Sequence, residues 1–276
     1  MIASDPGTKS RVDQLIARLP AFSPVALRLM TVISDENVSF KEVAKLISLD
    51  PALSGEVLKL ANSGFYGRRS AVHSIVHAIA LVGIRRVSPI VITAAIWKAL
   101  PRQPSAAVKA WWRHSIASAF IAEQAAREYS GLDAAYTGGL LHSIGQLALM
   151  EYSPDKYNDL VESCYADGAD LADGERRVFG ADHSELAGVI LDRWNMPPSI
   201  MEAVAAHHIE HSSHSLLMRA VHTACHASEF VGFGRCGCHL RLAGDELPPA
   251  VARLIDSKYL VETLPQEVNG IECSLL

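Results

Sequence analysis

Residues 39–61 read SFKEVAKLISLDPALSGEVLKLA, and their spacing settles the fold class. Ser39 with Glu42 three residues later has the form of a capping box. Val43, Leu46 and Ile47 then fall on one face of a short helix. Asp50-Pro51 ends that run and opens the next, since proline suits a first helical turn. Leu53, Val57, Leu60 and Ala61 share the second helix's apolar face, and Gly64 and Gly67 end it. The same period continues outward. Val12, Leu15, Ile16 and Leu19 form a stripe stopped by Pro20. Ser23-Pro24 restarts it as N-cap and first-turn proline, ahead of Val25, Leu29, Val32 and Ile33. Ser74 caps a helix carrying Ile75, Ile79 and Val82, and Gly83 is placed to close it in the left-handed conformation. Period-2 runs and hairpin turns between apolar alternations are nearly absent, so the expected class is all-α, a multi-helix bundle.

Pro101-Arg102-Gln103-Pro104-Ser105 is the clearest break in the chain. It divides an N-terminal helical subdomain, residues 10–105, from a second helical subdomain with a C-terminal extension, residues 106–276. The spacing predicts helices over 108–129, 134–152 and 154–167, the last capped by Ser153. A Gly/Asp-rich connection spans 168–174. Asp182 with Glu185 is a second capping box, opening a helix through Leu186, Val189, Ile190 and Trp194. Asn195 and Pro197-Pro198 end it. Further helices are expected over 199–208 and 215–230, and a short one near 249–255, with frayed last residues.

Composition narrows the class. Of 276 residues 49% are hydrophobic and 20% charged, which describes a globular chain. The longest apolar run, near Val87–Leu100, contains Ser88, Pro89, Thr93 and Lys98 and is too short to span a membrane. Residues 1–11 are polar and lack the apolar core of a signal peptide. Five sparse cysteines argue against a disulfide framework and for a reducing cytoplasm. The net charge of -5 conceals +6 over residues 1–105 and -11 over 106–276. That split fits an anion-binding first half, or two halves that attract each other. In the first half Arg68-Arg69 and Arg85-Arg86 are adjacent basic pairs, and without interleaved aromatics they argue against nucleic acid.

Twelve histidines stand against seven Phe and seven Tyr, which invites a metal reading. His114, His142, His183, His207 and Cys225 fall one to a predicted helix, as inward-facing metal sites in helix bundles do. Other groupings are weaker. His73 and His77 are one turn apart without a third ligand. His222, Cys225 and His226 share a helical face without a partner. Cys236-x-Cys238-His239 lacks a second cysteine pair at zinc-finger spacing and reads as a loop. His207, His208, His211 and His214 end a helix and its loop, where the dipole favours them. No phosphate-binding glycine loop or nucleophile elbow is present.

Residues 106–230 resemble the HD superfamily of metal-dependent phosphohydrolases. In that family a His on one helix, a His-Asp pair on the next and a distant Asp hold a divalent metal, and further His residues extend the site. The first half sharpens the match. Leu19-Pro20 with Pro24-Val25-Ala26, Asp50-Pro51-Ala52-Leu53, Leu60-Ala61-Asn62-Ser63-Gly64-Phe65-Tyr66-Gly67, and Ala78-Ile79 through Leu81 and Gly83 resemble the HDOD domain, an HD-related output module of bacterial signalling proteins. The resemblance covers roughly residues 12–230, and it departs from the HD pattern at two positions. The His-Asp pair reads His142-Ser143, and the distant Asp aligns with Cys225. A hard divalent ion needs anionic oxygen ligands, so a phosphohydrolase centre is not expected. His114, His142, Ser143, His183, His207 and Cys225 are then vestigial positions, with no cofactor. The alternative is zinc on His114, His142 and Cys225.

The resemblance therefore implies a non-catalytic signalling module acting on partner proteins in trans. A divergent phosphohydrolase would need zinc or a shifted carboxylate such as Asp182 or Glu185. A third reading is a sensor that binds an anionic nucleotide without turnover through Arg68, Arg69, Arg85 and Arg86.

Overall fold

The computed structural model describes residues 6–19, 22, 24–33, 39–62, 72–127, 134–209, 215–234 and 259–275. All regular structure among them is helical, with no strand, as the spacing predicts. No helix among the described residues is long and apolar enough to cross a membrane. The chain forms two compact units, one of residues 20–101 with 269–276, the other of residues 1–19 with 102–268.

The smaller unit holds α2 (Pro24–Ile33), α3 (Phe40–Ser48), α4 (Pro51–Ala61), α5 (Ile75–Val82) and α6 (Ile84–Ala99). Its core is aliphatic: Leu29, Met30, Val43, Ile47, Leu53, Val57, Ile79, Val91, Ile92 and Ile96 are buried. Two polar devices fix its loops. Asp50 Oδ1 accepts from the backbone N–H of Ala52 (2.9 Å) and Leu53 (3.3 Å), capping α4. The same carboxylate takes Lys98 of α6 at 2.9 Å, and the ion pair with the backbone donors outweighs burial to hold the Asp50 carboxyl below its ordinary range. Asn62 accepts from the Val72 N–H (2.7 Å) and donates to the Val72 carbonyl (2.9 Å), as a neighbouring strand would. Its side chain thus clamps together two points ten residues apart.

Two local readings need correction. Ser39 precedes α3 but makes no side-chain capping bond; Glu42 reaches Arg28 at 3.4 Å instead. Gly83 has φ +88 but ψ 144, outside the left-handed helical region. It serves as the joint between α5 and α6, in backbone space that only glycine enters freely.

The larger unit holds α1 (Pro6–Ile16), α7 (Ala106–Arg127), α8 (Ala135–Leu141), α9 (Ile144–Tyr152), α10 (Pro154–Asp167), α11 (Leu171–Phe179), α12 (His183–Arg193), α13 (Pro198–Ala205) and α14 (Leu216–Ser228). A π-helical turn, Glu229–Phe233, continues α14. Helix α7 is the axis, with α8 and α14 packed along it, while α1, α10 and α12 surround α9. Trp111, Trp112, Ile116, Leu141, Leu147, Phe179, Leu186 and Val221 are buried in this core.

The larger unit corrects the sequence reading in several places, beyond Ser153, which precedes α10 but makes no side-chain capping bond. First, α1 does not group with the residues up to 105. Arg11 Nε donates to the Phe179 carbonyl (2.6 Å) and Arg193 pairs with Asp13, which ties α1 to the larger unit. Second, the connection over 168–174 runs into α11, which starts at Leu171, is capped where Asp170 accepts from Asp173 N–H, and is closed by Gly180 at φ +84. Third, the helix expected over 134–152 breaks at His142-Ser143. Fourth, the expected frayed terminus is α15 (Leu264–Leu275), which belongs to this unit up to Val268, with Leu260, Leu264 and Val268 buried at helical spacing. The helix expected near 249–255, Cys236, Cys238, His239, His211, His214, Arg68 and Arg69 lie outside the described residues, as do the side chains of Arg85 and Arg86.

Candidate functional site

The site is built on the break between α8 and α9. At the break the Ser143 carbonyl accepts from the Gln146 N–H at the start of α9 (2.9 Å), and Trp111 Nε1 donates to the same carbonyl (2.9 Å) and to Ser143 Oγ (3.0 Å). Ser115 Oγ lies 3.3 Å from the same hydroxyl. Two glycines allow the approach. A Cβ on Gly139 would lie 2.6 Å from the Ser118 carbonyl oxygen of α7. A Cβ on Gly145 would overlap the carbonyl of His183. Glycine at these two positions therefore seats the broken helix against both α7 and α12.

This seating gathers the expected residues. His114, His142, Ser143, His183, His207 and Cys225 are each no more than 1% exposed. His142 Nδ1 faces the Gly139 carbonyl at 2.7 Å and must carry the proton there, leaving Nε2 as an acceptor. His114 Nε2 lies 3.0 Å from that acceptor, and His114 Nδ1 lies 2.9 Å from Ser228 Oγ. Ser228, His114, His142 and Gly139 thus lie in one run of polar contacts, in which the single Ser228 hydroxyl proton is contested by His114 Nδ1 and by the Cys225 carbonyl 2.8 Å away. Burial holds His114 below the ordinary imidazole range, against the opposing pull of Cys225. Cys225 Sγ is 3.9 Å from His114 Nε2.

A second network adjoins the first. Glu175 is fully buried and accepts from Tyr157 OH (2.8 Å), His183 N–H (2.8 Å) and His183 Nδ1 (2.6 Å). Burial opposes a charge on His183, but the Glu175 carboxylate overrides it and raises the ring's pKa. His183 Nε2 passes a hydrogen bond to His208 Nε2 at 2.7 Å. His207 donates from Nδ1 to the Val204 carbonyl (2.6 Å), and its Nε2 has no partner among the described residues. Its ring centroid lies 4.9 Å from that of His142 and 5.4 Å from that of His183. Burial pushes His207 and His208 well below the ordinary range, reinforced by neighbouring rings.

Sequence reasoning missed Glu175 and Ser228. Glu175 sits in α11, whose start reads as a connection in the sequence, and Ser228 has no motif around it. His222, set aside for want of a partner, donates from Nδ1 to the His207 carbonyl at 2.7 Å. His73 and His77 lie on the smaller unit and are exposed. Asp182 and Glu185 complete a reciprocal capping box on α12, and Asp182 also pairs with Arg176, so neither is free to act as a shifted ligand.

The donor set does not fit the hard divalent ion of an HD hydrolase. Ser143 offers a neutral hydroxyl already bonded to Trp111, and Cys225 offers sulfur. Zinc chemistry fits better: ligand atoms of His114, His142 and Cys225 lie within 4.8 Å of one another. A tetrahedral zinc would hold two nitrogens about 3.4 Å apart, and nitrogen and sulfur about 3.6 Å apart. His183, His207 and His208 form a second such group.

Among curated proteins, 201 residues are 22% identical to an uncharacterized protein of Treponema pallidum (strain Nichols). The alignment takes in 72% of this chain and spans 38% of that relative's length. The fold matches a solved protein of Shewanella amazonensis SB2B, named provisionally as a phosphohydrolase, with TM-score 0.69 and 23% identity. That match covers 97% of this chain and 98% of the other. A protein of Marinobacter aquaeolei VT8, named provisionally for signal transduction, matches with TM-score 0.68 and 20% identity over 100% of this chain and 66% of its own. The profile of the HDOD domain covers residues 19–210, taking in the motifs of the smaller unit and His114, His142, His183, His207 and His208 of the larger, and the chain belongs to the HDOD family.

Proposed function

We propose that this chain is a non-catalytic HDOD regulatory module that acts by binding partner proteins. One observation carries the reading: the six vestigial positions are enclosed. A phosphoester cannot reach groups that expose 1% or less of their surface. The kinship with a protein named for signal transduction is in keeping with this. So are the exposed side chains Phe40, Leu49 and Val76, on or beside the packed pair α3 and α5.

The test is turnover. The purified chain, incubated with cyclic dinucleotides and generic phosphoesters plus Mn²⁺, is expected to release no product above buffer. Manganese-dependent hydrolysis that disappears in His142→Ala would overturn the proposal and favour the divergent hydrolase. Metal analysis of untagged protein belongs beside it. The proposal predicts a metal-free preparation, whereas stoichiometric zinc lost on Cys225→Ala would assign His114, His142 and Cys225 as a structural zinc site.

A further inference from the structure

We propose that the surface across α9 and α12, covered by α1, is the docking site of a partner's amphipathic helix, which enters by displacing α1. Helix α1 packs on both of these helices. Val12, Leu15, Ile16 and Leu19 follow the i, i+3, i+4, i+7 spacing by which a helix lies in a groove. The first three are buried and Leu19 is half-buried.

The polar contacts around this surface define what it accepts. Arg11 Nε donates to the carbonyl of Phe179, the last residue of α11, at 2.6 Å. Arg18 donates to the carbonyl of Tyr152, the last residue of α9, at 3.2 Å, and its guanidinium stands 5.9 Å over the Tyr152 ring. A helix C-terminus carries orphan carbonyls and the negative end of the dipole, so both positions select a cation. Arg193, in the last turn of α12, takes the carboxylate of Asp13. The occupant is therefore a helix reading Arg-apolar-Asp-x-apolar-apolar-x-Arg, as Arg11–Arg18 does, with its two arginines about two turns apart.

Helix α1 is suited to yield its place. Its three polar contacts join residues at least 134 positions apart in the chain, so it can lift off without unwinding the helices beneath it. A helix of 11 residues is marginal alone in water, so α1 is helical because of what it covers. Asp13 and Arg193 are each about half exposed and the Arg18 bond is exposed, so these links add little. Beneath α1, α9 meets α12 where Gly145 abuts the His183 carbonyl, and a different helix laid across both bears on that junction. Helix docking names a partner class for the regulatory module proposed above and rests on that reading.

Fluorescence anisotropy of a labelled peptide of residues 6–19 with the full chain tests the proposal. The peptide should bind the wild-type chain saturably. The chain variant Leu15→Asp, which cannot seat its own α1, should bind it at least about tenfold tighter, since the competing occupant is gone. Arg18→Glu, at an exposed position, should tighten binding in the same direction, and circular dichroism confirms that each variant is folded. A peptide carrying Arg11→Glu and Arg18→Glu should not bind. The chain variant Arg193→Asp should prefer a peptide carrying Asp13→Arg, reversing the wild-type preference. The idea is lost if the wild-type chain does not bind the peptide, if both α1 variants bind it no tighter, or if the preference at position 13 ignores residue 193. Self-association of the chain that the peptide dissolves would assign the surface to a second copy and overturn a separate partner. Failure of peptide binding leaves the turnover test as it stands, whereas phosphoester hydrolysis would overturn the regulatory reading and leave helix docking intact.

Discussion

Glu175 accepts three hydrogen bonds while fully buried, and two of them come from His183. A buried carboxylate of this kind must be paired, and its partner must be charged to match. Glu175→Gln removes the charge that holds the His183 proton. Breaking such a pair is expected to cost about 3–5 kcal/mol, read from urea unfolding. The His183 ring should titrate at lower pH in the variant, followed by NMR. An unchanged titration would mean that Glu175 is not what raises it. This residue was illegible in the sequence because Asp167-Gly168 and Asp173-Gly174 mark turns, and α11 lies across the second pair. By contrast, His114, His142, His183, His207 and Cys225 could be named, because one ligand-type residue per helix is visible without knowing the packing.

At the level of helices, local signals predicted elements better than their interruptions. Asp50, Ser74, Asp182 and Ser215 each accept from a backbone N–H at a helix start. The break at His142-Ser143 has no such signal. Its causes are distant in sequence: Trp111 donates to the Ser143 carbonyl, and α7 and α12 press on Gly139 and Gly145. Gly145→Ala should therefore cost about 2–4 kcal/mol or prevent folding, because the obstructing atom is backbone and cannot yield. Gly188→Ala is the control. Its added Cβ would meet only the Ala205 methyl at 3.8 Å, so the change should be neutral or stabilising by about 0.5–1 kcal/mol. Equal melting temperatures for the two variants would contradict the close approach. In the smaller unit, Asn62→Ala should cost about 1–3 kcal/mol by freeing both backbone groups of Val72.

For the whole molecule, the buried histidines set the response to acid. Burial lowers His114, His207, His208 and His226 in the folded state. The unfolded chain therefore takes up protons first, and stability present above about pH 6.5 should fall as pH drops. His183, raised by Glu175, works the other way. Its contribution is complete below its unfolded value and fades as pH rises through the folded one. Four lowered rings against one raised ring predict a melting temperature that declines from about pH 7 to about pH 5, with a shallower decline in His207→Phe. A rise over that interval would contradict the burial of these rings as neutral groups. Asp50, held low by Lys98 and its backbone donors, adds a further loss only at more acidic pH. The surplus of histidine over Phe and Tyr was plain from composition, but its thermodynamic sign depends on which rings have a carboxylate, and that only packing decides.

The Nδ1 bonds of His142, His207 and His222 to the carbonyls of Gly139, Val204 and His207 have a spectroscopic consequence. A proton held between a buried ring and the backbone exchanges with water only when the surrounding structure opens. Each of these imidazole protons is therefore a clock for local opening. In the intact chain they should give separate downfield resonances that outlast those of surface side chains in heavy water. The order in which they fade would rank the junctions around α8, α13 and α14 by how often each comes apart.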